Sequence, residues 1–201
     1  ALAPRLVYAD GSLQPNCRSF PTLLTDLIES VYLDSIFPKS AFFNRYRLGG
    51  WDCTGTREVD QPYGACLLIR HASLAAIGLM DENLFMYYDE IDLCYRLKKK
   101  GGKVYFTDTA TVIHHSNKSS GQDALACEHY KYASRLKFFA KHYGAWSVSV
   151  MTLDLALRTA VVWVAFGISH LCVGRPRDLE HFKRPVRIMW REMANYYGAR
   201  R

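Results

Sequence analysis

No Cys-x-x-Cys spacing joins any of the six cysteines, Cys17, Cys53, Cys66, Cys94, Cys127 and Cys172. Thiols scattered in this way speak against a zinc site and for reduced, mostly buried side chains in a cytoplasmic setting. No His-Glu-x-x-His pattern is present, so a metal-dependent hydrolase built on His114, His115 and nearby carboxylates lacks the usual ligand cluster. No basic stretch followed by an apolar core opens the chain, and no secretory signal is read there. The uninterrupted apolar run Thr159 to Ser169 is too short for a bilayer of about 30 Å, which needs roughly 20 residues. No RNA- or DNA-binding signature accompanies the net charge of +7 and the pI near 9.1, and the basic excess sits at one end, so nucleic acid is not an expected partner.

What is present suits one core of ordinary size with something appended: 201 residues, 49% hydrophobic and 22% charged. The densest chemistry lies between Met80 and Arg96. Ile91, Cys94 and Tyr95 recur at helical spacing, good helix formers run from Leu97 to Lys100, and Gly101-Gly102 stops the element. Asp89 and Glu90 then fall in the first helical turn, where free N–H groups and the helix dipole favour ionised carboxylates, as a general base requires. Acidic residues in that position are also ordinary helix caps, and Asp92 and Arg96, at i and i+4, can form a structural pair.

The remaining pattern is α/β. A strand is expected over Leu2 to Tyr8, a helix over Thr22 to Leu33, an irregular stretch around Leu48-Gly49-Gly50-Trp51, a strand over Ala65 to Ile69 and a short helix after Ser73. Lys103 to Phe106 reads as a strand, Thr107 to Ala110 as a turn, and Thr111 to His114 as a second strand ending in His114-His115. A helix from about Ala124 to His142 puts Tyr132, Leu136 and Phe139 on one stripe.

Beyond Gly144 the chain becomes apolar from Val148 to Val173, interrupted by Asp154 and Arg158 and carrying Trp163 and His170. It reads either as an interfacial helix in a membrane surface or as a buried helical hairpin. The tail supplies Arg175, Arg177, Lys183, Arg184, Arg187, Arg191, Arg200 and Arg201 against Asp178, Glu180 and Glu192, with Phe182, Trp190, Tyr196 and Tyr197 interleaved. An anionic membrane surface suits this composition, since each Lys or Arg near such a surface contributes about 1 kcal/mol; a solvated basic helix is the alternative.

Gly64-Ala65-Cys66-Leu67-Leu68-Ile69-Arg70, Gly78-Leu79-Met80-Asp81-Glu82, Phe85-Met86-Tyr87, Asp89-Glu90-Ile91-Asp92-Leu93-Cys94 with Arg96, and Val112-Ile113-His114-His115 occur in that order. Together they resemble a family 2 glycosyltransferase of the GT-A fold, most closely the bacterial rhamnosyltransferase-like enzymes of cell-surface polysaccharide synthesis. Pro4 to Tyr8, Asp10 to Gln14 and Cys17 to Thr22 are similar to the stretch that precedes the acceptor region there. The likeness runs from about Ala1 to about Gly144.

The resemblance implies an expected organisation: residues 1–144 as the acceptor and catalytic half of a Rossmann-like GT-A mixed-sheet domain, and 145–201 as an amphipathic, basic helical tail. It implies that a nucleotide-binding half with a metal-binding Asp motif precedes this stretch, and the chain is expected to be a fragment, inactive alone. The implied reaction is inverting transfer of a sugar from a nucleotide-diphosphate donor to a polysaccharide or lipid-linked acceptor, at the inner face of the plasma membrane. Glu90 is the first choice as base, with Asp89 in reach. The resemblance places Gly64 and Ala65 at the donor sugar, and His114 as ligand of a divalent metal, Mg or Mn. Trp51 is a candidate for stacking on a sugar, and Asp92 and Arg96 for substrate binding; core anchor and ion pair are their alternatives. A non-catalytic membrane-docking module is the rival from another class.

Overall fold

The computed structural model describes residues 1–116, 123–173 and 180–199, with side chains outside 165–173 and 180–182. Arg175, Arg177, Asp178, Arg200 and Arg201 lie outside the described residues, as do the side chains of His170, Cys172, Glu180 and Phe182. The fold is mixed α/β. In chain order its elements are β1 (Leu2–Val7), β2 (Leu13–Gln14), β3 (Cys17–Arg18), α1 (Leu23–Ser30), α2 (Leu33–Ile36), β4 (Arg57–Glu58), β5 (Gln61–Pro62), α3 (His71–Ile77), α4 (Asp89–Lys99), β6 (Tyr105–Ile113), α5 (Ala124–Tyr143), α6 (Ala145–Val173) and α7 (Glu180–Gly198).

The main sheet has the order β2-β1-β6-β4, with β1 and β6 parallel and the two short edge strands antiparallel; β3 and β5 form a separate antiparallel pair. Parallel neighbours need a long crossover, and here it contains α1 to α4. The expected turn at Thr107 to Ala110 is instead a bulge inside one continuous strand. Pro4 pairs with Thr107 and Arg5 with Thr111, so Asp108 to Ala110 loop out opposite a proline that has no N–H to give the ladder.

The expected strand over Ala65 to Ile69 does not form. Residues 64–66 turn, and the segment is fastened to β1 by a single bridge, with Leu2 N–H donating to Leu68 O at 2.8 Å and Leu68 N–H to Leu2 O at 2.9 Å. The expected helix over Thr22 to Leu33 is broken in two. Thr22 caps α1 in a reciprocal box with Thr25, and Tyr32 at φ 60° ends the first piece before α2. Gly101, at φ +80°, closes α4 where the sequence places the stop, its N–H on Lys98 O at 3.0 Å.

One core lies under α4 and over the sheet, where Cys17, Cys53, Cys94, Leu97, Val104 and Phe106 pack together. A second joins α4 to the C-terminal helices through Ile91, Phe138, Phe139, Val148, Leu155 and Met189. Leu136 and Phe139 of the expected stripe are buried, and Tyr132 packs beside them. The five described cysteines are free; burial pushes the Cys17 and Cys94 thiols up to about 12, which makes them poor nucleophiles.

α6 packs on α1, α5 and α7. The polar residues that interrupt its apolar run are taken inward: Asp154 accepts from Ser30 Oγ at 2.6 Å, and the Arg158 guanidinium lies 5.6 Å over the Tyr32 ring. What faces outward is therefore apolar, including Trp146, Leu153, Trp163 and Val164. By length and composition Ala145–Val164 is long enough and apolar enough to cross a membrane, with 33% of it buried. The shorter run counted in the sequence, Thr159 to Ser169, omits the turns of helix in which Asp154 and Arg158 point inward. α7 is tied to α5 by His129 Nδ1 and Glu192 Oε1 at 2.8 Å, and by Arg184 and Glu128 at 3.5 Å.

Candidate active site

The N-terminus of α4 begins on strained backbone. Tyr87 and Tyr88 both have φ 60°, the left-handed region that side chains other than glycine seldom adopt. Each such residue costs of order 1–3 kcal/mol, so the surroundings must impose the conformation. They do so from α5: Ser134 Oγ donates to Met86 O at 2.9 Å, Lys137 Nζ to Asn83 O at 2.9 Å, and the buried Tyr88 ring lies 5.5 Å from Phe138. No motif in the sequence signals this strain, because it is created by packing against α5.

Tyr88 is the N-cap residue, and no side chain caps the helix. Asp89 and Glu90 are therefore not spent as caps. The expectation that the helix dipole keeps Glu90 ionised is overturned. Burial, followed by its hydrogen bond with Asp89 and the Asp89 charge, raises the Glu90 carboxyl to about 8. The dipole is the weaker effect, since it acts through partial charges at a screened end while Asp89 is a full charge on the adjacent residue. A carboxyl that exchanges its proton near neutrality is suited to general base work.

Gly64 backs directly onto this carboxylate. A Cβ at Gly64 would meet Glu90 Cβ at 3.4 Å and Cδ at 3.9 Å, and Ala65 is exposed beside it. Alanine at position 64 just fits, whereas the branched methyls of valine must displace Glu90. Gly64→Val is expected to destabilise the fold by about 1–3 kcal/mol more than Gly64→Ala, measured by denaturant unfolding; equal losses would show that the glycine serves only its turn.

Asp92, Arg96 and Trp51 are occupied by the scaffold. Asp92 has no exposed surface and faces Arg96 Nε at 2.7 Å, Lys141 Nζ at 2.7 Å and His142 Nε2 at 2.6 Å. Burial raises its pKa, yet the hydrogen bonds from His142, Lys141 and Arg96 prevail and hold it well below the carboxylate range. Arg96 also donates to the carbonyls of Ile77, Gly78 and Leu79, and Lys141 reaches Asp81 at 2.7 Å. This network clamps α3, α4 and α5 into one unit. Trp51 lies edge-on to Phe106 at 4.9 Å under the Arg57 guanidinium at 4.6 Å, the packing of a core anchor. Lys141 and His142 carry no local pattern that could have singled them out.

His114 stands at the end of β6, its N–H on Val7 O at 2.9 Å, while His115 is exposed. Buried Gln14 sends its amide nitrogen to Ser116 Oγ and turns its carbonyl oxygen to His114 Nδ1 at 3.0 Å. Nδ1 is then the protonated nitrogen, and Nε2 keeps the lone pair that a metal takes. His114 fits as one ligand of a divalent cation. Among the described residues no group of three or more His, Cys, Asp or Glu converges to hold one. Gln14→Leu is expected to shift the His114 tautomer toward protonated Nε2, read by nitrogen NMR of the ring without metal; an unchanged ring spectrum would remove Gln14 from that role.

The chain is similar to the N-acetylglucosaminyl-diphospho-decaprenol L-rhamnosyltransferase of Mycobacterium tuberculosis, with 31% identity over 146 residues, 73% of this chain and 47% of that protein. It is related to the glycosyltransferases. The rhamnosyltransferase WbbL of Escherichia coli is 29% identical over 105 residues, 51% of this chain and 36% of that enzyme. The low-salt glycan biosynthesis hexosyltransferase Agl10 of Haloferax volcanii is 33% identical over 58 residues, 29% of this chain and 19% of that one. The chain spans about half the length of the mycobacterial transferase. No family model matches it, and no solved structure matches it.

Proposed function

We propose that this chain carries the acceptor side of an inverting family 2, GT-A glycosyltransferase, which moves a sugar, rhamnose first, from a nucleotide-diphosphate donor to a polysaccharide or lipid-linked acceptor. The observation that carries this reading is the Gly64 backbone set against Glu90, a carboxyl poised near neutrality, in a chain related to transferases. Glu90 accepts the proton of the attacking sugar hydroxyl, a contribution of about 10²–10⁴-fold in rate. After burial, the hydrogen bond and charge of Asp89 keep the affinity of Glu90 for that proton high. Gly64 leaves room for the donor sugar beside the carboxylate. Mg or Mn, when bound, would neutralise charge on the departing diphosphate, with His114 its ligand from this chain.

The outward apolar residues of α6 and the exposed cations Arg184, Arg187 and Arg191 of α7 support work at an anionic membrane, peripheral to its cytoplasmic face. The test is transfer of labelled sugar from a series of nucleotide-sugars to a lipid-linked glycan acceptor by an active preparation. Transfer that is lost on changing Glu90 supports the reading; its absence with every donor would sink it.

A further inference from the structure

One face of α5 carries the loop that leads into the carboxylates. Tyr130, Ser134, Lys137 and Lys141 recur at intervals of four, three and four residues, which sets them in a single row along the helix. The row holds residues 81–86 at four points. Lys141 Nζ meets Asp81 Oδ2 at 2.7 Å, Lys137 Nζ donates to Asn83 O at 2.9 Å, the Tyr130 ring lies 4.9 Å from that of Phe85, and Ser134 Oγ donates to Met86 O at 2.9 Å. Between α3 and α4 the chain forms neither helix nor strand, so its path is set by these contacts.

Ser134 is the buried anchor of the row, 3% exposed, whereas Lys137 is exposed. Met86 is the last residue before Tyr87 and Tyr88, the consecutive pair at φ 60°, and Glu90 stands in the first turn of α4 directly after them. Holding the Met86 carbonyl fixes the peptide plane from which that pair departs. A tyrosine gains nothing from the left-handed region by itself, so two in succession persist only while their surroundings hold them there. The direction in which α4 sets out, and with it the place of Glu90 against Gly64, then depends on α5.

We propose that Ser134 and Lys137 are positioning residues, which hold the Tyr87-Tyr88 turn in its left-handed form and so set the Glu90 carboxylate against Gly64. The positioning rests on these contacts; its effect on rate rests on the transferase reading.

Carbon chemical shifts and the coupling between amide and α protons of Tyr87 and Tyr88, measured by NMR on this chain, read the turn directly. Both tyrosines are expected to show the left-handed signature in wild type, to lose it in Ser134→Ala, and to lose part of it in Lys137→Met. Lys137→Arg keeps a donor and is expected to retain it. Lys137 is exposed, so its variants test the turn even where removal of the buried hydroxyl unfolds the chain. A signature absent from wild type, or one that survives both Ser134→Ala and Lys137→Met, would overturn the positioning role. In an active preparation Ser134→Ala is expected to lower kcat roughly tenfold or more with KM within about twofold, since a displaced base slows the chemistry and leaves binding intact. An altered turn with unchanged kcat would also overturn it. A turn that depends on Ser134 in a protein that transfers no sugar would leave the carboxylate's positioning standing and remove the transferase reading.

Discussion

Replacing Asp92 by alanine is expected to destabilise the protein by about 3–5 kcal/mol, the range for breaking a buried ionic network at one partner. At about 2–4 °C per kcal/mol for a chain of this size, that is a fall of roughly 6–20 °C in melting temperature. The carboxylate has no exposed surface and accepts from Arg96, Lys141 and His142, so its removal leaves the Arg96 guanidinium without a carboxylate, Lys141 with Asp81 alone and the His142 Nε2 without its partner. The pH dependence has a definite sign. A carboxyl held below its ordinary value contributes stability above about pH 3.9, its unfolded value, and loses that contribution as pH falls through the folded value. Wild type is therefore expected to lose stability on acidification below pH 4 more steeply than Asp92→Asn. Denaturant unfolding at two pH values measures both effects, and a loss under 1 kcal/mol at neutral pH would show the network to be dispensable.

In the intact enzyme of the proposed reading, Glu90→Gln is expected to reduce transfer by about 10²–10⁴-fold while leaving donor affinity within a few-fold of wild type. The amide keeps the size of the side chain and removes its capacity to accept a proton. Because burial and then Asp89 raise the Glu90 carboxyl to about 8, the basic form is a minority at pH 7, and kcat/KM is expected to climb through pH 8. Glu90→Gln should abolish that rising limb. The same residue has a linked effect on folding: between the ordinary glutamate value and 8 the folded state binds a proton that the unfolded chain has released. Stability should decline as pH rises across that window, and Glu90→Gln should flatten the decline. Full activity in Glu90→Gln, with loss in Asp89→Asn, would move the base to Asp89.

Much of this framework was legible from local pattern. The apolar period of Ile91, Cys94 and Tyr95 and the stop at Gly101-Gly102 defined α4, and Leu136 and Phe139 marked the buried face of α5. The strand expected over Ala65 to Ile69 failed because an apolar run specifies burial but not its partner; only Leu68 bonds to β1. The turn expected at Thr107 to Ala110 failed for a related reason, since a bulge opposite Pro4 uses the same small polar residues while the strand continues on both sides.

The sequence by itself determined which carboxylates stand at the start of α4, because helical periodicity and a glycine stop are local and survive any packing. It could not decide what each does. Asp92 became a buried clamp because α5 delivers Lys141 and His142 from some fifty residues along the chain. Burial, followed by Asp89, raises the proton affinity of Glu90 against the dipole that its position in the helix supplies. Proton affinity depends on charge and water within a few ångströms, and only the tertiary structure sets those neighbours.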